Sequence, residues 1–298
     1  MRLESDSRDQ MSRYDLHQHL WPEAFVTVLR ARSRQPLIEE NELITGEGRF
    51  PVDLDDHDPE RRVEALDQDG LDIAVLSLQP SLGLDALPPD ERSELEQAWA
   101  DSVQDLVAAG DGRFLAFSPT EVRPGFVGVS LGSSTFQDFE HSAPVLDRAA
   151  AAGAVVFVHP DGGGPADPAW PPWWEWVTGY PARMQSAYLA WLAIGRERWP
   201  TLKVLFAMLG GGGPFQLERL ARRGIDVRSV LDPNTFFEVS THGRRAMELC
   251  IETFGVDQLA YGSDTPVVDP RPTLDAVRGF GDAVVHVLQT DTPSRLLA

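Results

Sequence analysis

The chain is poor in cysteine, in lysine and in long apolar runs, and each shortage closes off a class of protein. Cys250 is the only cysteine among 298 residues, so no internal disulfide can form and a reducing, cytoplasmic setting is expected. No apolar stretch reaches membrane-spanning length, and no basic-then-apolar leader precedes the first strand signal, which predicts a soluble protein with no membrane partner. Basic residues are few, 26 against 46 acidic ones, and Lys203 is the sole lysine. The resulting net charge of −20 opposes binding to nucleic acid and to anionic lipid, which leaves a small molecule as the expected partner. Internal repeats, low-complexity tracts and linkers are missing too, so residues 13–298 read as one domain behind a polar leader at 1–12.

What is present is an alternation. Eight short β-rich runs recur, at Tyr14–Leu16, Ile73–Leu78, Phe114–Ser118, Phe126–Leu131, Val155–Val158, Val204–Leu209, Phe236–Val239 and Gln258–Tyr261. Helix-period segments lie between them, punctuated by signals such as Asp58 before Pro59 and the alanine-rich stretch that stops at Gly153. Eight strand–helix units over this length predict an α/β fold of the (β/α)8, TIM-barrel type, with a doubly wound open sheet as the other architecture. Two segments interrupt the alternation. Residues 35–57 form an insertion in which Gly46 and Gly48 suggest a turn or small hairpin, and residues 161–180 form a long loop holding Trp170, Trp173, Trp174 and Trp176.

Histidine is also scarce, yet His17 and His19 stand one residue apart at the end of the first strand run. Alternate residues of a strand share a face, so the two imidazoles address one point in space. His159 ends the fifth run and Asp264 follows the eighth, in Tyr-Gly-Ser-Asp-Thr-Pro. In a barrel these strand ends meet on one rim, and the first and eighth strands are neighbours. Three imidazoles and a carboxylate form a ligand set suited to zinc and acceptable to iron or manganese.

The runs Tyr-Asp-Leu-His-Gln-His-Leu-Trp-Pro, Val-Phe-Val-His-Pro, Leu-Gly-Gly-Gly-Gly-Pro-Phe and Ala-Tyr-Gly-Ser-Asp-Thr-Pro together resemble the amidohydrolase superfamily. The similarity is to the branch of aminocarboxymuconate-semialdehyde and resorcylate-type decarboxylases, and it spans the chain from Tyr14 onward. The resemblance implies a metal-dependent barrel with His17, His19, His159 and Asp264 as ligands, acting as hydrolase or as non-oxidative decarboxylase. Barrels of that branch are frequently dimers, which makes a homodimer the assembly implied. One departure stands out. Where the family places an acid/base histidine after the sixth strand, this chain has Met208, whose thioether cannot carry a proton. His242, after the seventh strand, lies on the correct rim to replace it; His57, among Asp55, Asp56 and Asp58, is a second candidate or part of a solvated turn. His141 and His286 fall in helical stretches and read as structural. Family members with two metals often bridge them by a lysine on the fourth strand, and no lysine occurs there. One divalent ion is therefore expected, with a second metal through Glu60 or His57 left open.

Three activities follow from these residues. In hydrolysis or decarboxylation, Asp264 and His242 are the catalytic groups, acting on a small apolar or aromatic carboxylate or carbonyl compound, with Arg61, Arg62 or Arg183 as candidate carboxylate anchors. A non-haem iron oxygenase would need no histidine base and accords with Met208. A barrel that binds metal without catalysis is the third.

Overall fold

The computed structural model describes residues 11–163, 167, 169–171, 173–227 and 232–298. In chain order the strands are β1 (Tyr14–Gln18), β2 (Leu37–Glu39), β3 (Glu42–Thr45), β4 (Gly48–Pro51), β5 (Ile73–Leu76), β6 (Phe114–Ser118), β7 (Gly128–Gly132), β8 (Val155–His159), β9 (Lys203–Phe206), β10 (Thr235–Glu238) and β11 (Leu259–Ala260). Eight of them form one parallel sheet in the order β1-β5-β6-β7-β8-β9-β10-β11, with helices in the crossovers. All eight strand runs read from the sequence are present. The sheet closes on itself where β11 returns to β1: the Leu16 amide donates to the Tyr261 carbonyl at 3.0 Å, the Asp264 amide to His17 at 2.8 Å and the His19 amide to Thr265 at 2.7 Å. The architecture is thus the (β/α)8 barrel and not the open sheet.

Local chemistry accounts for the crossovers. Asp58 accepts from the Glu60 and Arg61 amides at 2.8 and 3.0 Å, which caps helix Pro59–Asp69 with Pro59 in its first turn. Helix Phe139–Ala152 ends at Gly153, whose φ of 66° is the left-handed conformation that a residue without Cβ adopts freely. Helix Trp174–Ala190 lays Met184, Ala187 and Tyr188 on the barrel wall, and the Tyr188 ring meets Phe206 and Phe237 edge-on at 5.6 and 5.3 Å. Burying each such ring stabilises the fold by roughly 1.5–3 kcal/mol. Inside the barrel Phe117 stacks on Phe157 at 5.2 Å, and Phe157 in turn meets the His17 ring at 5.0 Å, so the apolar interior ends where the histidines begin.

The turn expected at Gly46 and Gly48 is the β3–β4 hairpin, where Thr45 pairs with Gly48; β2 adds a third antiparallel strand and the 3-10 turn Leu54–His57 follows. One expectation needs correction. The tryptophan-rich segment is not loop throughout: helix Trp174–Ala190 starts inside it and carries Trp174 and Trp176. Gly164, Pro165, Ala166, Pro168 and Pro172 of that segment, and residues 1–10 of the leader, lie outside the described residues. The insertion and this segment are joined: Glu47 accepts from the Tyr180 hydroxyl at 2.8 Å and from the Gly163 amide, and Phe50 lies 6.3 Å from Trp176. Among the described residues, no helix is long and apolar enough to cross a membrane.

Candidate metal centre

His17, His19, His159 and Asp264 meet at the C-terminal mouth of the barrel, with donor atoms all within 4.8 Å of one another. The His19 Nε2 atom lies 3.1 Å from His17 Nε2, 3.3 Å from His159 Nε2 and 3.1 Å from Asp264 Oδ1, while His17 Nε2 is 3.4 Å from Asp264 Oδ1. Two donors bound tetrahedrally at about 2.0–2.1 Å to one cation stand about 3.3 Å apart, so these separations match a shared ion.

The outer nitrogens show why the inner ones must share something positive. His19 Nδ1 lies 2.8 Å from the Ser77 carbonyl and His159 Nδ1 lies 2.8 Å from the Pro160 carbonyl. A carbonyl oxygen only accepts, so both rings donate from Nδ1 and present Nε2 to the cluster. Burial, then the neighbouring imidazoles, hold His159 well below the usual histidine range, and burial likewise brings His17 down to about 3. Neutral rings with facing lone pairs repel one another unless a cation lies between them. The donor set therefore fits a divalent metal.

The third ring is held by a residue that the sequence reading did not single out. His17 Nδ1 stands 3.0 Å from Glu238 Oε2, at the end of β10, where both groups are buried. Burial is the main cause that pushes the Glu238 carboxyl up to about 7. Burial thus disfavours the charged form of both partners in this contact. Asp15, also buried, accepts from the His17 and Ser263 amides at 3.1 and 3.0 Å and from Gln18 Nε2 at 2.7 Å, which ties β1 to the loop that carries Asp264. Burial pushes Asp15 up to about 6.

The remaining candidates fall in different places. His242 is half-buried on the same rim, its Nδ1 2.8 Å from the Ser240 carbonyl. His57 is not part of a solvated turn: it is buried, stacks on Trp21 at 4.4 Å and accepts the Trp21 amide at 3.1 Å. Glu60 is exposed at the start of its helix, so neither it nor His57 joins a second metal group, and the four-residue cluster is the only one among the described residues. Arg62 is buried but spent on Gln18 at 2.9 Å, His19 at 3.2 Å and Asp56 at 2.6 Å. Arg61 pairs with Asp55 at the surface, and Arg183 with Glu175 and the Asp161 carbonyl. His141 is exposed, as is His286, which pairs with Asp291 at 3.2 Å. Lys203 lies on the opposite rim, donating to the Arg295, Leu296 and Ala298 carbonyls at the C-terminal helix. Met208 follows β9 in a left-handed conformation, φ 52°, and its amide donates to Glu238.

A shallow cleft at the C-terminal ends of β5, β6 and β7 is lined by Gln79, Arg92, Thr120, Ser130 and Gly132, and none of the four clustered residues lines it. Ser130 and Gly132 pair in register with Phe157 and His159, so they face the same interior, and the buried Ser130 hydroxyl has no hydrogen-bond partner among the described residues.

No family model matches the chain. In sequence it is similar to the 2-amino-3-carboxymuconate-6-semialdehyde decarboxylase of Dictyostelium discoideum, 25% identical over 79% of this chain and 76% of the relative. In structure it is similar to the IDCase of Metarhizium anisopliae, with a TM-score of 0.76, 21% identity and 97% of each chain covered. It is likewise similar to a dihydroxybenzoic acid decarboxylase from Polaromonas, solved with manganese and the inhibitor 2-nitroresorcinol, with a TM-score of 0.73, 16% identity and 97% of each chain covered. In sequence and in fold, the chain resembles the decarboxylase branch of the amidohydrolase superfamily, as the motifs around His17, His159 and Asp264 imply.

Proposed function

We propose that the protein is a metal-dependent, non-oxidative decarboxylase that acts on an aromatic or similarly unsaturated carboxylate. The observation that carries this reading is the convergence of three Nε2 atoms and the Asp264 carboxylate on one buried point. His17, His19, His159 and Asp264 would hold one divalent ion; zinc suits the donor set, and manganese is the metal in the Polaromonas relative. When bound, such an ion supplies a Lewis acid that steadies the negative charge of a carboxylate and an adjacent oxygen. The oxygenase alternative finds no support among these relatives.

The chain's own groups cover the rest of the task. Loss of carbon dioxide needs a proton delivered to the carbon that carried the carboxylate. Met208 cannot deliver it, since a thioether has no titratable proton. His242 can, because the Ser240 carbonyl fixes its proton-bearing Nδ1 and leaves Nε2 to take up and pass on a second proton. Asp264, part-exposed at the mouth with Oδ1 on the two histidines, is the carboxylate available to take a proton from water, which is the role it would play in hydrolysis. The insertion is tied to the segment after β8 through Glu47, which accepts from the Tyr180 hydroxyl and the Gly163 amide, with Phe50 beside Trp176.

Carbon dioxide release from a panel of hydroxybenzoates and carboxymuconate semialdehydes, with metal analysis of the same samples, tests the reading. Turnover that needs a divalent ion, proceeds equally under nitrogen and vanishes in Asp264→Ala is expected. Oxygen consumption, or full turnover in a metal-free Asp264→Ala protein, contradicts it.

A further inference from the structure

Glu238 is a carboxylate buried inside a strand whose other residues, Thr235, Phe236 and Phe237, are also buried. Burying an ionisable group costs several kcal/mol unless it is well bonded, so its surroundings show what it is there to hold. Oε2 is within hydrogen-bond distance of His17 Nδ1 at 3.0 Å, the Ser240 hydroxyl at 2.8 Å and the Met208 amide at 3.3 Å, and Oε1 accepts the Ser240 amide. A second feature reserves the place for it. A Cβ added at Gly262, across from β10, would come within 2.6 Å of the Glu238 Cγ and Cδ atoms, and closer still to Oε1, so only glycine leaves the carboxylate its room.

We infer that Glu238 is a positioning residue for the metal site: it fixes the ring orientation and tautomer of His17 and, through the Met208 amide, locks the loop after β9 to the same ring. The inference rests on the metal reading above. Of the three histidines, two have a backbone carbonyl at 2.8 Å from Nδ1 that no substitution removes, His19 with the Ser77 hydroxyl at 3.3 Å besides, whereas the contacts of His17 Nδ1 are side chains, Glu238 at 3.0 Å and the Ser240 hydroxyl at 3.4 Å. An outer hydrogen-bond partner of this kind holds the ligand nitrogen on its target and raises its basicity. Glu238 also bonds Met208, which stands in a left-handed conformation uncommon for a side-chain-bearing residue, φ 52°, so the loop's position at the mouth depends on the same carboxylate.

The test is a zinc affinity measured by competition with a chromophoric chelator, for wild type, Glu238→Gln and Ser240→Ala, alongside the visible spectrum of each cobalt-substituted protein. Glu238→Gln is expected to bind zinc 10–100-fold more weakly and to shift the cobalt bands, with unfolding of the chelator-treated protein little changed. Ser240→Ala, which keeps the carboxylate but removes one donor that aligns it, should show a smaller loss in the same direction. Wild-type affinity and unaltered cobalt bands in Glu238→Gln would overturn the inference; should that variant not fold, wild-type values in Ser240→Ala would do so. A wild-type protein that binds neither metal would instead overturn the metal reading itself.

Discussion

The two rims of the barrel are built to different rules. At the C-terminal mouth, Thr120, Met208, Leu209, Thr241 and Asp264 all hold left-handed backbone without being glycine, and each sits just beyond the end of a barrel strand. Such residues cost about 1–3 kcal/mol each and persist where surrounding bonds impose them. The same rim buries His17, His19, His159, Asp15 and Glu238. The opposite rim shows less of both: among the described residues its left-handed non-glycine is Asp111, ahead of β6, and its buried carboxylate, Asp232, is paired. There Lys203 satisfies the carbonyls of the last helix, Arg196 pairs with Asp232 at 2.9 Å, and Trp191 packs against Trp199 while donating to Thr235 at 3.0 Å. Strain and desolvated polar groups are concentrated at one end of the molecule, as expected where one rim of a barrel carries the site and the other mainly stabilises the scaffold.

The contrast can be broken from either side. The largest effect on stability is expected at the lower rim: Trp191→Ala removes a fully buried ring and should cost about 3–5 kcal/mol in urea unfolding, with zinc affinity unchanged. A parallel loss of metal binding would show that the two rims are not independent.

A smaller and pH-dependent effect is expected at the mouth. Burial, with Arg62 and His19 adding to it, lowers His57 to about 3, below its unfolded value near 6.5. The unfolded chain therefore binds the proton first, and the stability linked to His57 is complete above pH 6.5 and lost as pH falls toward 3. Replacing it, as in His57→Gln, should flatten the acid limb of the stability curve by up to about 1.4 kcal/mol per pH unit, measured on chelator-treated protein. An unchanged slope would mean that His57 is already charged or exposed in the native state.

How much of this could be read beforehand follows the same division. The strands were legible because β-branched and aromatic runs mark them whatever they pack against, and the ligands because His17, His19 and His159 fall at strand ends whose side chains share one face. Glu238 was not legible. One glutamate after two phenylalanines reads as a residue turned to solvent, and its burial depends on His17 and Gly262, which the chain brings together from its two ends. His57 misled for a related reason: three nearby aspartates suggest water, whereas Trp21, distant in sequence, covers the ring. The helix from Trp174 was hidden by Pro171 and Pro172 ahead of it and by Pro181 within it. The meander at residues 37–51 showed only the turn at its glycines, since strands of three or four residues carry too little pattern to count.

Four side chains, on the first and fifth barrel strands and in the loop after the last, are placed to share one cation. Elemental analysis of protein purified without added metal, set beside a His159→Ala variant of equal fold content, tests this most directly. About one divalent ion per chain in the first and almost none in the second is the predicted result. A wild-type protein that takes up no ion even when offered zinc or manganese, or a variant that retains its full complement, would contradict it.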